Sequence, residues 1–270
     1  MNRQIADGAM GTLLLGEFEP PLALLNLVAP GRIAAIHQAY QQAGATILLT
    51  NTFAANEVTL APAGFANRCF ELNRAGAQLA RQVAGRNVTV AGSIGPAGTT
   101  NPENFVSQVR GLAVGGVDWL WLETFSSLAE VAAAVVACRQ VAPHLPIVIT
   151  LSFHAGGQTK EGLTPAGTVP HLLAHQPLAI GANCGDGPAG VLAAVVAMSQ
   201  ANPQIPLIAK ASAGLPTWEN GKWGYGLAPA GMRHYAQAAY TAGATIIGGC
   251  CGTTPAHIQA ISQTFKVMLL

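Results

Sequence analysis

Two adjacent cysteines stand in Gly248-Gly249-Cys250-Cys251-Gly252-Thr253-Thr254-Pro255, near the end of a chain that has only five. Neighbouring residues on a regular strand point to opposite faces, so both thiols reach one atom only where the strand bends or stops. Two glycines before the pair and one after it supply that backbone freedom. A third cysteine, Cys184, closes another apolar run in the frame Gly181-Ala182-Asn183-Cys184-Gly185. Three thiolates gathered at strand ends are soft ligands that suit zinc, and three protein ligands leave the fourth tetrahedral position open for chemistry. A disulfide between Cys250 and Cys251 is the alternative, uncommon in a reducing compartment. Cys69 and Cys138 fall in helical stretches and read as small buried hydrophobes.

Bringing Cys184 to the distant pair requires a fold that gathers strand ends. Short β-rich runs alternate with Ala-rich helical stretches, the pattern of a parallel sheet wrapped in helices. Strands are expected over 4–8, 46–52, 88–94, 118–123, 147–153, 178–183, 207–211 and 245–249. Helices are expected over 32–43, 66–84, 104–115, 127–141, 165–174, 187–201, 229–242 and 255–264. Pro165, Pro229 and Pro255 stand at first turns, where the missing N–H costs little, and glycine follows several helix ends. Eight strand–helix units with short links, and no composition shift to mark a linker, imply one (β/α)8 TIM barrel over residues 1–270. Asp7, Asn51, Thr52, Ser93, Glu123, Ser152, Asn183, Cys184, Ser212, Cys250 and Cys251 all fall at or just past C-terminal strand ends. In a barrel that rim carries the active site.

The bulk composition narrows the function classes. Charged residues are 9% and hydrophobic ones 50%, which suits strands covered on both faces. A net charge of +1 offers nothing to nucleic acid or an anionic membrane surface. Mean hydropathy is +0.37, yet apolar stretches such as 131–138 and 191–198 fall well short of the ~18 residues a membrane span needs. Asp7 and Glu17 argue against a signal peptide, and an odd cysteine count with an adjacent pair does not read as a disulfide framework. The cytoplasm is the expected compartment.

The motifs, taken in order, resemble one family. Asp7-Gly8-Ala9-Met10-Gly11-Thr12 looks like the opening motif of the zinc-dependent homocysteine S-methyltransferases. Asn51-Thr52-Phe53, Gly92-Ser93-Ile94-Gly95-Pro96 and Glu123-Thr124-Phe125 resemble that family's internal landmarks, and the two cysteine motifs resemble its zinc motifs. The family includes enzymes using betaine or S-methylmethionine and the homocysteine module of cobalamin-dependent methionine synthase. The resemblance runs nearly end to end. It implies a barrel, zinc held by Cys184, Cys250 and Cys251, and homocysteine contacted by Asp7, Glu123 and the backbone around Gly8. It also gives the cysteines a purpose: a thiol titrates near ~8.5, and binding to zinc deprotonates it and fixes its sulfur. Three thiolate ligands keep that fourth sulfur electron-rich.

The residues themselves add detail. Asp7 and Glu123 lie where a substrate amino group needs an acceptor, although a carboxylate at a strand end also serves as a helix cap or ion-pair partner. Thr52 and Ser93 are hydroxyl candidates of the same kind, and Asn183 either positions Cys184 or approaches the metal or substrate. Ser212, in Lys210-Ala211-Ser212-Ala213-Gly214, stands where the family commonly has asparagine, which changes the hydrogen bonds available there. Trp218, Trp223 and Tyr225 form the aromatic-rich stretch of an aromatic-poor chain. They read either as a loop clamped by its own rings or as a cation–π wall for a sulfonium or quaternary ammonium donor. His154 is the one histidine expected near the rim.

The expected activity is zinc-dependent transfer of a methyl group from a small donor to homocysteine, giving methionine. S-methylmethionine, S-adenosylmethionine, betaine and a methyl-corrinoid are all compatible donors. The sequence has no extra folate or cobalamin domain, so the alternative is a homocysteine- and zinc-binding subunit served by a separate corrinoid protein. A third reading keeps the thiolate cluster but changes the acceptor to selenocysteine or another thiol.

Overall fold

The computed structural model describes residues 3–15, 17–153, 157–201, 204–219 and 222–267. Ten strands follow in chain order: β1 Gln4–Ile5, β2 Ile47–Leu49, β3 Thr89–Ile94, β4 Trp119–Phe125, β5 Ile147–Leu151, β6 Ala179–Cys184, β7 Leu207–Ala211, β8 Pro216–Glu219, β9 Lys222–Tyr225 and β10 Ala244–Gly249. Eight of them form one parallel sheet in the order β1-β10-β7-β6-β5-β4-β3-β2. A parallel bridge from Ala6 to Ile47, with Asp7 N–H donating to the Ile47 carbonyl at 3.0 Å, brings the two ends of the sheet together. This is the TIM barrel that the alternation of runs predicts.

Both faces of the sheet are covered, which is why its strands read as continuous apolar runs rather than alternating ones. β5 and β7 are buried at every position. One side chain set points inward: Ala6, Ile47, Leu49, Ala91, Trp121, Val148, Ala179, Ile208 and Ile246 pack together inside the barrel. The other set meets the helices in a larger cluster that includes Cys138. Cys69 is likewise buried, and both behave as the hydrophobes expected of them.

The helices Pro30–Gln42, Cys69–Ala84, Glu103–Gly115, Leu128–Val141, Pro165–Leu173, Pro188–Ala201, Pro229–Thr241 and Pro255–Val267 fall close to the expected spans. Ser127 and Thr164 cap two of them through side-chain oxygens that accept Glu130 N–H and Gly167 N–H. Gly44, Gly116 and Gly243 take φ near +101°, +89° and +100° in the turns that lead three helices into their strands. Short helices at Gly11–Leu14, Leu25–Val28 and Glu57–Leu60 escape the sequence reading because one turn shows no periodicity. The stretch expected as a loop after β7 is instead the antiparallel hairpin β8–β9, with Trp218 and Trp223 directly opposed in register.

Close strand contact leaves room only for glycine at certain positions. A Cβ at Gly181 would lie 2.1 Å from the Ile208 carbonyl oxygen, backbone against backbone, whereas nothing lies within 4 Å of one at Gly31. Gly181→Ala should therefore cost about 1–3 kcal/mol in denaturant unfolding by forcing β6 from β7. Gly31→Ala should be neutral or slightly stabilising.

Candidate active site

β6 and β10 deliver the three cysteines. Cys184 ends β6 in the left-handed region, φ 63°, which turns its thiol away from the strand course. β10 stops at Gly249, and Cys250 N–H still donates to the Ala211 carbonyl at 2.8 Å. The chain then folds back tightly. Thr253 N–H and its hydroxyl both donate to the Cys250 carbonyl, at 3.1 and 2.7 Å, and Gly252 takes φ +76°. This bend is the departure from strand geometry that two adjacent thiols need to reach one point. The three Sγ atoms lie within 4.8 Å of one another, with Cys184 and Cys251 at 3.9 Å. Sulfurs at about 2.3 Å from a tetrahedral ion stand about 3.8 Å apart, so the trio fits zinc after small adjustments. All three are free thiols. Cys184 and Cys250 direct their S–H groups at Cys251, which is pulled well below the ordinary thiol value, while Cys184 is raised first by its bond to Cys250 and then by that to Cys251.

The cysteine turn is held by residues from the opposite end of the chain. Gly252 N–H donates to Thr12 Oγ1 at 3.1 Å, and Ala9 N–H donates to Thr253 Oγ1 at 3.1 Å. The buried Tyr40 hydroxyl donates to the Ala9 carbonyl at 2.6 Å and lies 3.1 Å from that of Thr253. A Cβ at Gly8 would strike Thr253 and Tyr40 within 3 Å, so a side chain there would part the two loops. On the other flank, Asn183 accepts Thr124 N–H at 2.8 Å and donates to Thr124 Oγ1 at 2.7 Å. The same amide lies 3.7 Å from Cys250 Sγ. Asn183 thus holds Thr124 in its left-handed conformation, φ 65°, and lies against the Cys250 sulfur. Ser212 donates to the carbonyls of Cys184 and Gly185 at 3.4 and 3.3 Å, stapling the end of β6.

A cavity of about 520 Å³ opens beside the cysteines, lined by all three together with Gly8, Thr52, Glu123, Thr124 and Lys210. Its mouth is apolar: Met10, Leu15, Pro21, Leu22 and Phe53. Glu123 accepts the Ser93 hydroxyl, and Thr52 donates to the Ser93 carbonyl at 2.7 Å. Asp7 and Asn183 are buried and lie behind the cavity wall rather than in its lining. Asp7 Oδ2 accepts Leu49 N–H at 2.8 Å, and its Oδ1 faces the Lys210 ammonium at 3.6 Å. Glu123 faces the same ammonium at 3.9 Å. Burial pushes the Asp7 carboxyl up to about 7, against the opposing pull of Lys210 and the Leu49 N–H. Burial raises Glu123 too, again opposed by Lys210. Burial also works against the lysine charge, but Glu123 and Asp7 outweigh it and hold Lys210 above its ordinary value.

Sequence reasoning passed over Lys210, although a lone charge in Leu207–Ala211, on the inward parity of Ser212, was a usable signal. It also passed over Thr12, Tyr40, Thr124 and Thr253, whose roles arise only from contact. Of the three aromatic candidates, Tyr225 reaches the cysteines. Its hydroxyl donates to Cys251, its ring covers Gly252, and burial with the nearby thiolates pushes it up to about 12. Trp218 is exposed and outside the cavity lining. The strand position of Trp223 faces Trp218, and His154 lies outside the described residues. Among the described residues no helix is long and apolar enough to cross a membrane.

Residues 4–265 match the family model described as homocysteine S-methyltransferase. Methionine synthases of Mycobacterium leprae and Mycobacterium tuberculosis are each 32% identical to 96% of the chain. The chain spans about a quarter of the length of these curated relatives, 24% in each case. The fold is similar to that of the metallated homocysteine methyltransferase MmuM of Escherichia coli, with a TM-score of 0.81 at 24% identity over 97% of this chain and 96% of that one.

The raised Asp7 carboxyl has a stability consequence. It holds its proton more tightly folded than unfolded, so its contribution favours folding fully below its unfolded value of 3.8 and is lost as pH rises to about 7. Asp7→Asn should flatten the fall in stability of the metal-free, reduced protein across that window by on the order of a few kcal/mol. Chemical denaturation at pH 4.5 and 7.5 (chosen to bracket most of the window, at about those values) measures it.

Proposed function

The chain belongs to the homocysteine S-methyltransferase family, and on that premise we propose that it transfers a methyl group to the thiol of homocysteine, giving methionine, with zinc as cofactor and Cys184, Cys250 and Cys251 as its ligands. The observation that carries this reading is the convergence of three free thiols within 4.8 Å of one another on a cavity that Glu123 also lines. Zinc held there would deprotonate the incoming thiol and keep its sulfur at the open fourth position.

The chain's own residues do the rest. Glu123, with Asp7 behind it, receives the charged end of the amino acid, and Gly8 and Thr52 form the wall along which its backbone lies. Asn183 and Ser212 fix the loops that aim the cysteines. The apolar mouth of Met10, Leu15, Pro21 and Phe53 limits water and accepts a methyl group. The acceptor's sulfur lone pair forms the new S–CH3 bond, the donor's bond to methyl breaks, and its electron pair leaves with the donor. A sulfonium or quaternary ammonium donor departs uncharged, so an aromatic wall from Trp218, Trp223 and Tyr225 would hold it before transfer and release it after. A reducing cytoplasm suits three thiols that must stay unoxidised.

A second reading has its own observation. The curated relatives are methionine synthases of which this chain matches 24% of the length. The chain would then present homocysteine to a separate methyl-corrinoid protein.

Reduced, zinc-loaded protein should form methionine from homocysteine with one of S-methylmethionine, S-adenosylmethionine or betaine. Cys251→Ser should cut that turnover by at least about 100-fold and release zinc, as metal titration would record. Silence with every small donor, from protein that retains its zinc, would favour the corrinoid-served module. Trp218→Ala should raise the donor KM about tenfold while leaving the homocysteine KM unchanged; equal effects on both would remove the tryptophan from the donor site.

A further inference from the structure

The two carboxylates assigned to the substrate's amino group already have a cation between them. Lys210 rises from β7 inside the barrel, and its ammonium stands 3.6 Å from Asp7 Oδ1 and 3.9 Å from Glu123 Oε2. On a further side the ring of the fully buried Trp121 lies with its centroid 5.4 Å away. Trp121 is itself fixed by donating its indole N–H to Thr150 Oγ1 at 3.0 Å. The side chain of Lys210 is only 3% exposed, yet it lines the cavity, whereas Asp7 does not. An entering amine therefore meets one carboxylate and a lysine, in place of two carboxylates.

A second ammonium brought to this position is repelled by the first, so Lys210 cancels part of the attraction that Asp7 and Glu123 would otherwise exert on it. A carboxylate, by contrast, finds in the cavity lining a buried ammonium with three N–H donors, standing 3.6 and 3.9 Å from its two carboxylate neighbours.

We propose that Lys210 sets the acceptor specificity of this site by standing in for the substrate ammonium, so that the acceptor is recognised by its thiol and its carboxylate and its amino group adds little. The substrate class is then short mercapto-carboxylates, with homocysteine one member among others. This rests on the methyl-transfer reading and on the cavity beside the cysteines being the acceptor site.

The test compares three thiols on cobalt-substituted protein, where a further bound thiolate shifts the charge-transfer absorption that the cysteine thiolates already give, independent of turnover. They are homocysteine, 4-mercaptobutyrate, which lacks only the amino group, and 3-aminopropanethiol, which lacks only the carboxylate. In the native protein 4-mercaptobutyrate should bind within about fivefold of homocysteine, and 3-aminopropanethiol should bind more than about fivefold more weakly. Lys210→Met should shift the preference toward homocysteine over 4-mercaptobutyrate by more than about fivefold. A native preference for homocysteine over 4-mercaptobutyrate of about fivefold or more overturns the proposal and leaves methyl transfer to homocysteine standing. A cobalt band that responds to none of the three overturns both. The comparison in the native protein needs no substitution, so it decides the matter even if the variant, with two carboxylates left uncompensated, fails to fold.

Discussion

The pairing of β1 with β10 is the constraint on which the rest of this molecule depends. Ala6 N–H donates to the Ile247 carbonyl at 2.9 Å, and Gly249 N–H donates to the Asp7 carbonyl at 3.1 Å. That seam joins the first strand of the sheet to the last. It puts the loop after β1 against the cysteine turn after β10, so that Thr12 holds Gly252 across 240 positions of sequence. Without it the cysteine turn would keep its pairing to β7 but lose the loop after β1 that holds it, and the carboxylate of Asp7 would have no barrel interior to enter. The opening motif Asp7–Thr12 and the closing cysteine motif are, in physical terms, two halves of one hydrogen-bonded junction.

Inside the barrel the chemistry rests on an arrangement that folding alone would not favour. The lower interior is apolar, filled by Trp121, Val148, Ile208, Ile246 and their neighbours. Just above it sit Lys210, Asp7 and Glu123, all nearly excluded from water. Charges taken out of water cost several kcal/mol each, and attraction within the group offsets that only in part. The raised Asp7 carboxyl is the visible residue of the imbalance, one cation having been set against two carboxylates. The cysteine trio above repeats the theme with thiols, sharing protons so that the charge gathers on Cys251. Perturbed groups of this kind cluster at functional sites, and here they gather around one cavity.

Much of this was legible in residue types and spacing. The glycine-framed cysteines pointed to a three-thiol cluster because two adjacent thiols reach one point only where a strand ends, and the three sulfurs do converge. The eight strand–helix units were legible because parallel strands buried on both faces leave uninterrupted apolar runs between helix caps. The hairpin β8–β9 was not, since its strands are four residues each and the pairing of Trp218 with Trp223 belongs to neither segment separately. Asn183 shows the intermediate case. Its place beside Cys184 marked it as a site residue, but its actual bonds run to Thr124 and toward Cys250, which come from β4 and from beyond β10.

The sequence by itself determined the barrel, the three cysteines that converge and the rim on which they meet. These follow from local periodicity and residue chemistry, which act between neighbours along the chain. Only the tertiary structure decided that Lys210 stands between Asp7 and Glu123, that Tyr225 reaches Cys251, and that Thr12, Tyr40 and Thr253 lock the two chain ends together. Electrostatic partners and close contacts depend on distance in space, and a closed barrel sets those distances between residues that the chain holds far apart.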